Sequence, residues 1–584
     1  MANKIAVAEL QGLLVQDNEA QWVAHLWDKF HSQRQGWLAE KDELRNFIFA
    51  TDTTTTTNQE LPWKNSTTLP KLCQIRDNLH SNYVSALFPN DQWLRWDGYQ
   101  RGDATKKKVQ SIQSYMENKT REGHFRTETS KLLYDYIDFG NAFAMPVFEA
   151  SYRELADGQV VADFVGCKAR RISPLDIVFN PLAATFEDSF KIIRSVKTMG
   201  ELKKLAATHP EEHFWEEALQ RRTDIQNRLG AFNSEDTEKA VAYSVDGFGN
   251  LHEYYMSNFV EVLEFYGDYH DNATGELKTN RLITIVDRSF MVRDVELPNW
   301  FSHASIYHVG WRLRPDNLYA MGALDNLVGM QYRIDHLENL KADAMDLIVH
   351  PPLVIAGEVE EFEWKPNAEI HIDENGSVSE VAKNVNNILI ADNQIAELES
   401  RMELFAGAPR EAMGVRTAGE KTAFEVQQLS NAAGRIFQEK ITHFEQEMLE
   451  PLLNGMLETS VRNMDGSDII RVLDNELGFT QFLTITKEDI TANGVIRPIG
   501  ARHFAKQATD LQNLIGVFNS PIGQMVAPHT SGKNMARFVD DVVGLDAYNI
   551  FQPNVAIDEQ AETQSLINQG AEDLEVQQDV PVEE

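Results

Sequence analysis

A chain of 584 residues exceeds what one hydrophobic core can serve, so several domains or subdomains are expected. Its 54 Lys and Arg face 89 Asp and Glu, a formal net charge of −35, which excludes a protein that grips DNA through a basic surface. Two cysteines, Cys73 and Cys167, cannot build a disulfide framework or a cysteine zinc site.

They are expected to be reduced, structural thiols of a chain made in a cytosol. The first residues lack the apolar core of a signal peptide and no run of 18 apolar residues occurs, so neither secretion by that route nor a membrane span is expected.

Residues 1–50 read as helix, with Trp22, Leu26, Phe30, Trp37 and Leu38 at roughly helical spacing. Five consecutive threonines, Thr53–Thr57, suit an exposed loop. A helix follows with the stripe Leu72, Ile75, Leu79, Val84 and Leu87, closed by Trp93 and Trp96. No basic cluster surrounds these aromatics, so they are expected in a core rather than stacked on bases. A helical stretch over about 105–139 precedes a change of texture at Asn141. Ala142–Phe148, Val160–Lys168, Arg170–Phe179 and Phe190–Val196 read as strands. A charged helical insert at about 199–229 separates them from Val260–Tyr266, Leu282–Asp287 and Ser289–Val295. The first 310 or so residues are thus expected to form an α+β body.

Trp311 to Gly322 leads into a helix at about 323–348, striped by Leu324, Leu327, Ile334, Leu337, Leu340, Ala344 and Leu347 and stopped by Pro351-Pro352. A small insert follows, with strands at Leu353–Ile355 and Glu369–Ile372 and a turn at Glu374-Asn-Gly376. A second narrow helix at about 386–405 carries Ile388, Ala391, Ile395, Leu398, Met402 and Phe405. So slender a hairpin buries little by itself and is expected to pack against equivalents in other copies. The loop Ala406 to Gly419 holds three glycines, one proline and the arginines Arg410 and Arg416, so it cannot continue a helix. Glu420–Thr459 then reads as a rod of roughly 60 Å, with Leu429, Ala433, Phe437, Ile441, Phe444, Met448, Leu452 and Met456 along one face. His503–Phe518 reads as a further helix, and past Arg537 the chain has no Lys or Arg, a composition that reads as solvated and disordered.

Motifs of chemistry are imitated rather than met. Gly414-x4-Gly419 before Lys421-Thr422 nearly spells a phosphate-binding loop, but Glu420 stands between glycine and lysine and no buried strand precedes it. His209-Pro-Glu-Glu-His213 spaces two histidines for a shared metal, yet proline sits second and no third ligand is evident. Acidic pairs such as Asp540-Asp541 lack a partner set for acid–base or two-metal work. No catalytic residue, metal or cofactor is expected, and the chain is not expected to be an enzyme.

The order of parts resembles a known family. Leu61-Pro-Trp-Lys-Asn, Arg314-Pro-x4-Ala-Met-Gly322, Pro351-Pro-Leu-Val, Arg416-Thr-Ala-Gly-Glu-Lys-Thr422, Glu445-x3-Leu-Glu-Pro-Leu-Leu453 and Gly500-Ala-Arg502 follow one another over roughly 60–520. In that order they resemble the portal (head-to-tail connector) proteins of tailed bacteriophages, most of all those of short-tailed phages. The insert at about 199–229 and the tail after Phe551 have no counterpart. The resemblance implies an α+β portal-type subunit: a wing of 1–320 with 421–500, stem helices at 321–348 and 386–406, a clip at 349–385, a tunnel loop at 407–420, and a crown at 501–584. It further implies a homo-oligomeric ring, a dodecamer in that family, at one capsid vertex of the virion. Its partners would be the major capsid protein, the terminase large subunit, tail adaptor proteins, and double-stranded DNA held by weak, non-specific contact.

On that resemblance Arg410, Arg416 and Lys421 face DNA from the tunnel loop. Their pairing with Glu411, Glu420 and Glu425 is the alternative. The stem residues Leu324, Leu327, Ile334, Leu337, Ile388, Ile395, Leu398 and Met402 pack between subunits. The rival function is another virion structural protein, a tail-tube adaptor or scaffold, without a DNA channel.

Overall fold

The computed structural model describes residues 18–49, 68–88, 93–98, 103–154, 160–208, 214–229, 254–255, 257–270, 275–297, 306–349, 353–356, 377–380, 386–406, 436–464, 467–473, 480–491 and 494–498. The threonine run, Leu61–Asn65, His209 and His213, Glu369–Ile372, the loop with Arg410, Arg416 and Lys421, the first part of the rod and the crown lie outside the described residues.

Helices α1 (Asn18–Gln33), α2 (Gln35–Ile48) and α3 (Lys71–Leu87) come first. Strand β1 (Leu94–Gly98), helices α4 (Asp103–Glu122) and α5 (Phe125–Asp138), and strands β2 (Asn141–Glu154), β3 (Val160–Ile172), β4 (Ile177–Phe179) and β5 (Lys191–Thr198) follow. The insert is α6 (Met199–Thr208) and α7 (Phe214–Leu229), after which come β6 (Phe259–His270), β7 (Leu277–Val286), β8 (Phe290–Glu296), β9 (Tyr307–Gly310), β10 (Arg312–Arg314) and β11 (Asn317–Met321). A 3-10 turn at Asp325–Leu327 opens α8 (Val328–Val349), then come β12 (Leu353–Ala356), β13 (Ser377–Glu380) and α9 (Asn386–Phe405). Helix α10 runs over 436–463, and β14 (Ser467–Leu473), β15 (Thr480–Thr486), α11 (Lys487–Ile490) and β16 (Gly494–Pro498) end the described chain. The fold class is α+β, and among the described residues no helix is long and apolar enough to cross a membrane.

Two compact units emerge: 1–86 with 123–460, and 87–122 with 461–584. In the second unit β1 pairs antiparallel with β16, which ties 87–122 to the later chain.

In the first unit a five-stranded antiparallel sheet runs β4-β5-β6-β7-β8, and a second sheet runs β3-β2-β9. The first is apolar on both faces. Ile192, Leu263, Phe265, Ile283 and Ile285 meet Ala20, Val23 and Trp27 of α1, while the next residues along the strands serve other clusters. Ile193, Tyr266 and Leu282 pack with Phe143 of β2, and Val260, Val262 and Val292 pack with Leu202 and Trp215 of the insert. Successive side chains on a strand point to opposite faces, so cover on both sides explains apolar runs in place of alternation. The turn between β7 and β8 uses no glycine: Asp287 and Arg288 take φ of 51° and 56°. Buried Arg288 is held by a two-pronged ion pair to Glu261, at 2.7 and 3.0 Å, and by Asp28 at 2.7 Å. Such specific anchoring offsets the steric cost of left-handed backbone.

In the second unit α4 packs on the β1–β16 ribbon and on β14, which pairs with β15. Trp93 and Trp96 are buried, and Trp93 meets Phe88 edge to face, a core placement as their surroundings predict. Thr486 and Asp489 form a capping box at the start of α11, and Lys108 Nζ donates to the carbonyls of Glu488 and Thr491 at its end.

Candidate functional site

The site is the antiparallel hairpin of α8 and α9 with the β12–β13 ribbon between them. Its seat begins at Gly322, the last residue of Arg314-Pro-x4-Ala-Met-Gly322. A Cβ on Gly322 would lie 2.8 Å from the carbonyl oxygen of Ile137, and one on Gly140, at φ +72°, would lie 2.4 Å from Gly322 N. Glycine alone allows the chain to cross the end of α5 so closely. Gly322 N donates to Asp325 Oδ2 at 2.7 Å, Ala323 N donates to the carbonyl of Ile137 at 3.1 Å, and Asp325 forms an ion pair with the buried Lys41.

Polar side chains on the inner face of the hairpin then clasp the start of α3. Asp335 Oδ1 accepts from Leu69 N at 2.9 Å and from the Gln331 side-chain amide at 2.9 Å, and Gln331 Oε1 accepts from Leu72 N at 3.3 Å. These bonds satisfy amides that a helix start leaves free. Burial pushes the Asp335 carboxyl up to about 6, against the lowering effect of the Leu69 N–H and the Gln331 amide. Opposite, Lys71 Nζ meets Glu403 of α9 at 2.6 Å, with both side chains 5% exposed. Farther out, Lys341 of α8 bridges to Asp392 of α9 at 3.0 Å and to Glu338 at 2.7 Å.

Of the stem residues named from the sequence, Leu324, Leu327, Ile334, Leu337, Ile395 and Met402 are buried within the chain, and Ile388 and Leu398 are half-buried. The reason is that the base of the hairpin rests on its own body through Lys71, Leu69 and Lys41. Apolar side chains left uncovered lie near the base, at Tyr332 of α8 and Leu404 and Phe405 of α9, and at the far end, at Met345, Ile348 and Val349 of α8, Val354 and Ile355 of β12, and Leu389 and Ile390 of α9, with Leu404 61%, Val349 69% and Leu389 60% exposed. Gln331, Asp335 and Glu403 escaped sequence reading. Their signal was a polar residue standing on an apolar stripe, as Gln331 and Asp335 do one turn apart.

A cleft of about 310 Å³ lies where α2 begins, lined by Trp37, Phe179 and Tyr319 among others. Its deepest charge, Arg34, already donates to the carbonyls of Pro174, at 2.9 Å, and Ile177, at 2.6 Å. Among the described residues no group of three His, Cys, Asp or Glu side chains could hold a metal ion. No protein-family model and no curated protein matches this chain.

Proposed function

We propose that this chain is a ring-forming subunit of the portal, or head-to-tail connector, type, whose ring is a channel for genome packaging and ejection at one capsid vertex. The observation that carries the reading is a hairpin fastened to its own body at the base and apolar without cover at its far end. Isolated apolar residues on a surface are ordinary, but seven on three adjoining elements at one end of a hairpin suit a partner that covers that end. A head-to-tail contact between identical subunits closes into a ring when its rotation closes. In such a ring a net charge of −35 on every copy suits a conduit, since each phosphate–cation contact adds affinity and slows sliding. Motor and tail adaptors would dock in turn on the ring, and the shell protein around it. Purified full-length protein, imaged by negative stain and weighed by light scattering, should give rings with an axial hole wide enough for a double helix. A monomer at every concentration would overturn the proposal.

A further inference from the structure

We infer that the cleft at the start of α2 is a docking site for a short extended peptide, and that its occupant is Glu60-Leu-Pro-Trp-Lys64 of this chain. The cleft, of about 310 Å³, lies within the first unit. Its walls include Trp37, Phe179 and Tyr319, with the Tyr319 ring centre 5.1 Å from that of Trp37 and 4.4 Å from that of Phe179. Gly36 also lines it, and a Cβ there would meet nothing within 4 Å. Glu40 and Arg314 complete the lining that matters here. Both are exposed, and among the described residues neither enters an ion pair.

These features state what an occupant must bring. Aromatic walls favour flat, apolar groups, and proline-bearing extended peptides dock on such walls with little entropy left to lose. One unpaired cation and one unpaired anion on the same cleft favour an occupant that carries both signs rather than a simple anion. The segment between α2 and α3, which lies outside the described residues, meets both demands. In order it reads acid, leucine, proline, tryptophan, base. Pro62 fixes its own backbone and biases Leu61 towards an extended form. Glu60 would then answer Arg314, Lys64 would answer Glu40, and Pro62 with Trp63 would fill the aromatic space between them. The connection 298–305, from β8 to β9, also offers a proline and two aromatic rings, but it has no carboxylate or amine for Arg314 and Glu40.

Carbodiimide coupling of the full-length protein tests this, because it joins a carboxylate to an amine already in contact with it. Digestion and mass spectrometry should find Glu40 joined to Lys64. Glu40→Gln should abolish that product, and Glu40→Lys with Lys64→Glu should restore it between the exchanged residues. Hydrogen exchange gives a second reading. Arg314→Glu should leave the melting temperature unchanged, since the side chain is exposed, and should speed exchange of amides 61 and 63–65 at least about tenfold. Lys64 coupled only to carboxylates outside the cleft would overturn the docking. So would wild-type amides at 61 and 63–65 that exchange as fast as those of a free peptide, or that Arg314→Glu leaves unchanged.

Discussion

Asp335 brings a carboxyl into a place that disfavours its charge, and the consequence has a sign. Its proton affinity in the folded chain, near pH 6, exceeds the ordinary value of 3.8. Stability linked to that proton is fully present below about pH 3.8 and is lost as pH rises through about 6. At neutral pH the ionised group therefore burdens the fold by roughly 1–3 kcal/mol. Asp335→Asn keeps an oxygen that can accept from Leu69 N and removes the titration. The variant should be at least as stable as the wild type at pH 7.5 in urea denaturation, and lose that advantage by pH 4.5. A variant weaker by more than about 1 kcal/mol at pH 7.5 would show that the charge itself holds the start of α3. Residues of this kind are hard to see in a sequence, because Gln331 and Asp335 gain their meaning from Leu69 and Leu72, some 260 positions away. By contrast Gly322 stands in a motif legible in the sequence, because Ile137 and Asp138 leave no space there for a side chain.

Elements with a long, clean period were legible, and those defined by distant partners were not. The stripe ending in Met402 and Phe405 marks α9 at Asn386–Phe405, as read. Helix α8 starts at Val328 rather than near 323, because Gly322–Leu327 is taken up by the close crossing and a 3-10 turn. The rod continues through Pro451: a wide π turn at Glu445–Leu449, where Glu450 N donates to the carbonyl of Glu445, absorbs the distortion one turn ahead of it. Val160–Ile172 is one strand where two were expected. The pair β1–β16 joins residues about 400 apart, and short strands of that kind take their stability from the partner rather than from local sequence. At the hairpin base the element-level test is Lys71→Met. It removes the cation that Glu403, 5% exposed, meets at 2.6 Å, and should destabilise the chain by about 3 kcal/mol in urea denaturation. Lys71→Met with Glu403→Leu should recover most of that loss, since an apolar pair can replace a buried ionic one. No recovery would mean that the ion pair also fixes the seating of α9.

On the scale of the whole molecule, composition and architecture pull an assembly in opposite directions. Every copy carries −35, so bringing copies together raises electrostatic energy, and the apolar hairpin ends must overcome it. The two forces respond differently to salt. Repulsion between exposed charges is screened beyond about 10 Å at 0.1 M and about 3 Å at 1 M, whereas apolar burial does not depend on fixed charges. If the copies meet through the uncovered residues of α8, β12 and α9, then raising sodium chloride from about 0.02 to 0.3 M should strengthen assembly, because the Debye length shrinks over that range. Sedimentation velocity at fixed protein concentration should show the ring fraction rising with salt, and Ile355→Lys should remain dissociated at both ends of the range. A ring fraction that falls with salt would place ion pairs, not the apolar ends, at the contact. In that case exposed pairs such as Glu397 with Arg401 on α9 become the side chains to exchange between copies, since salt weakens that kind of contact.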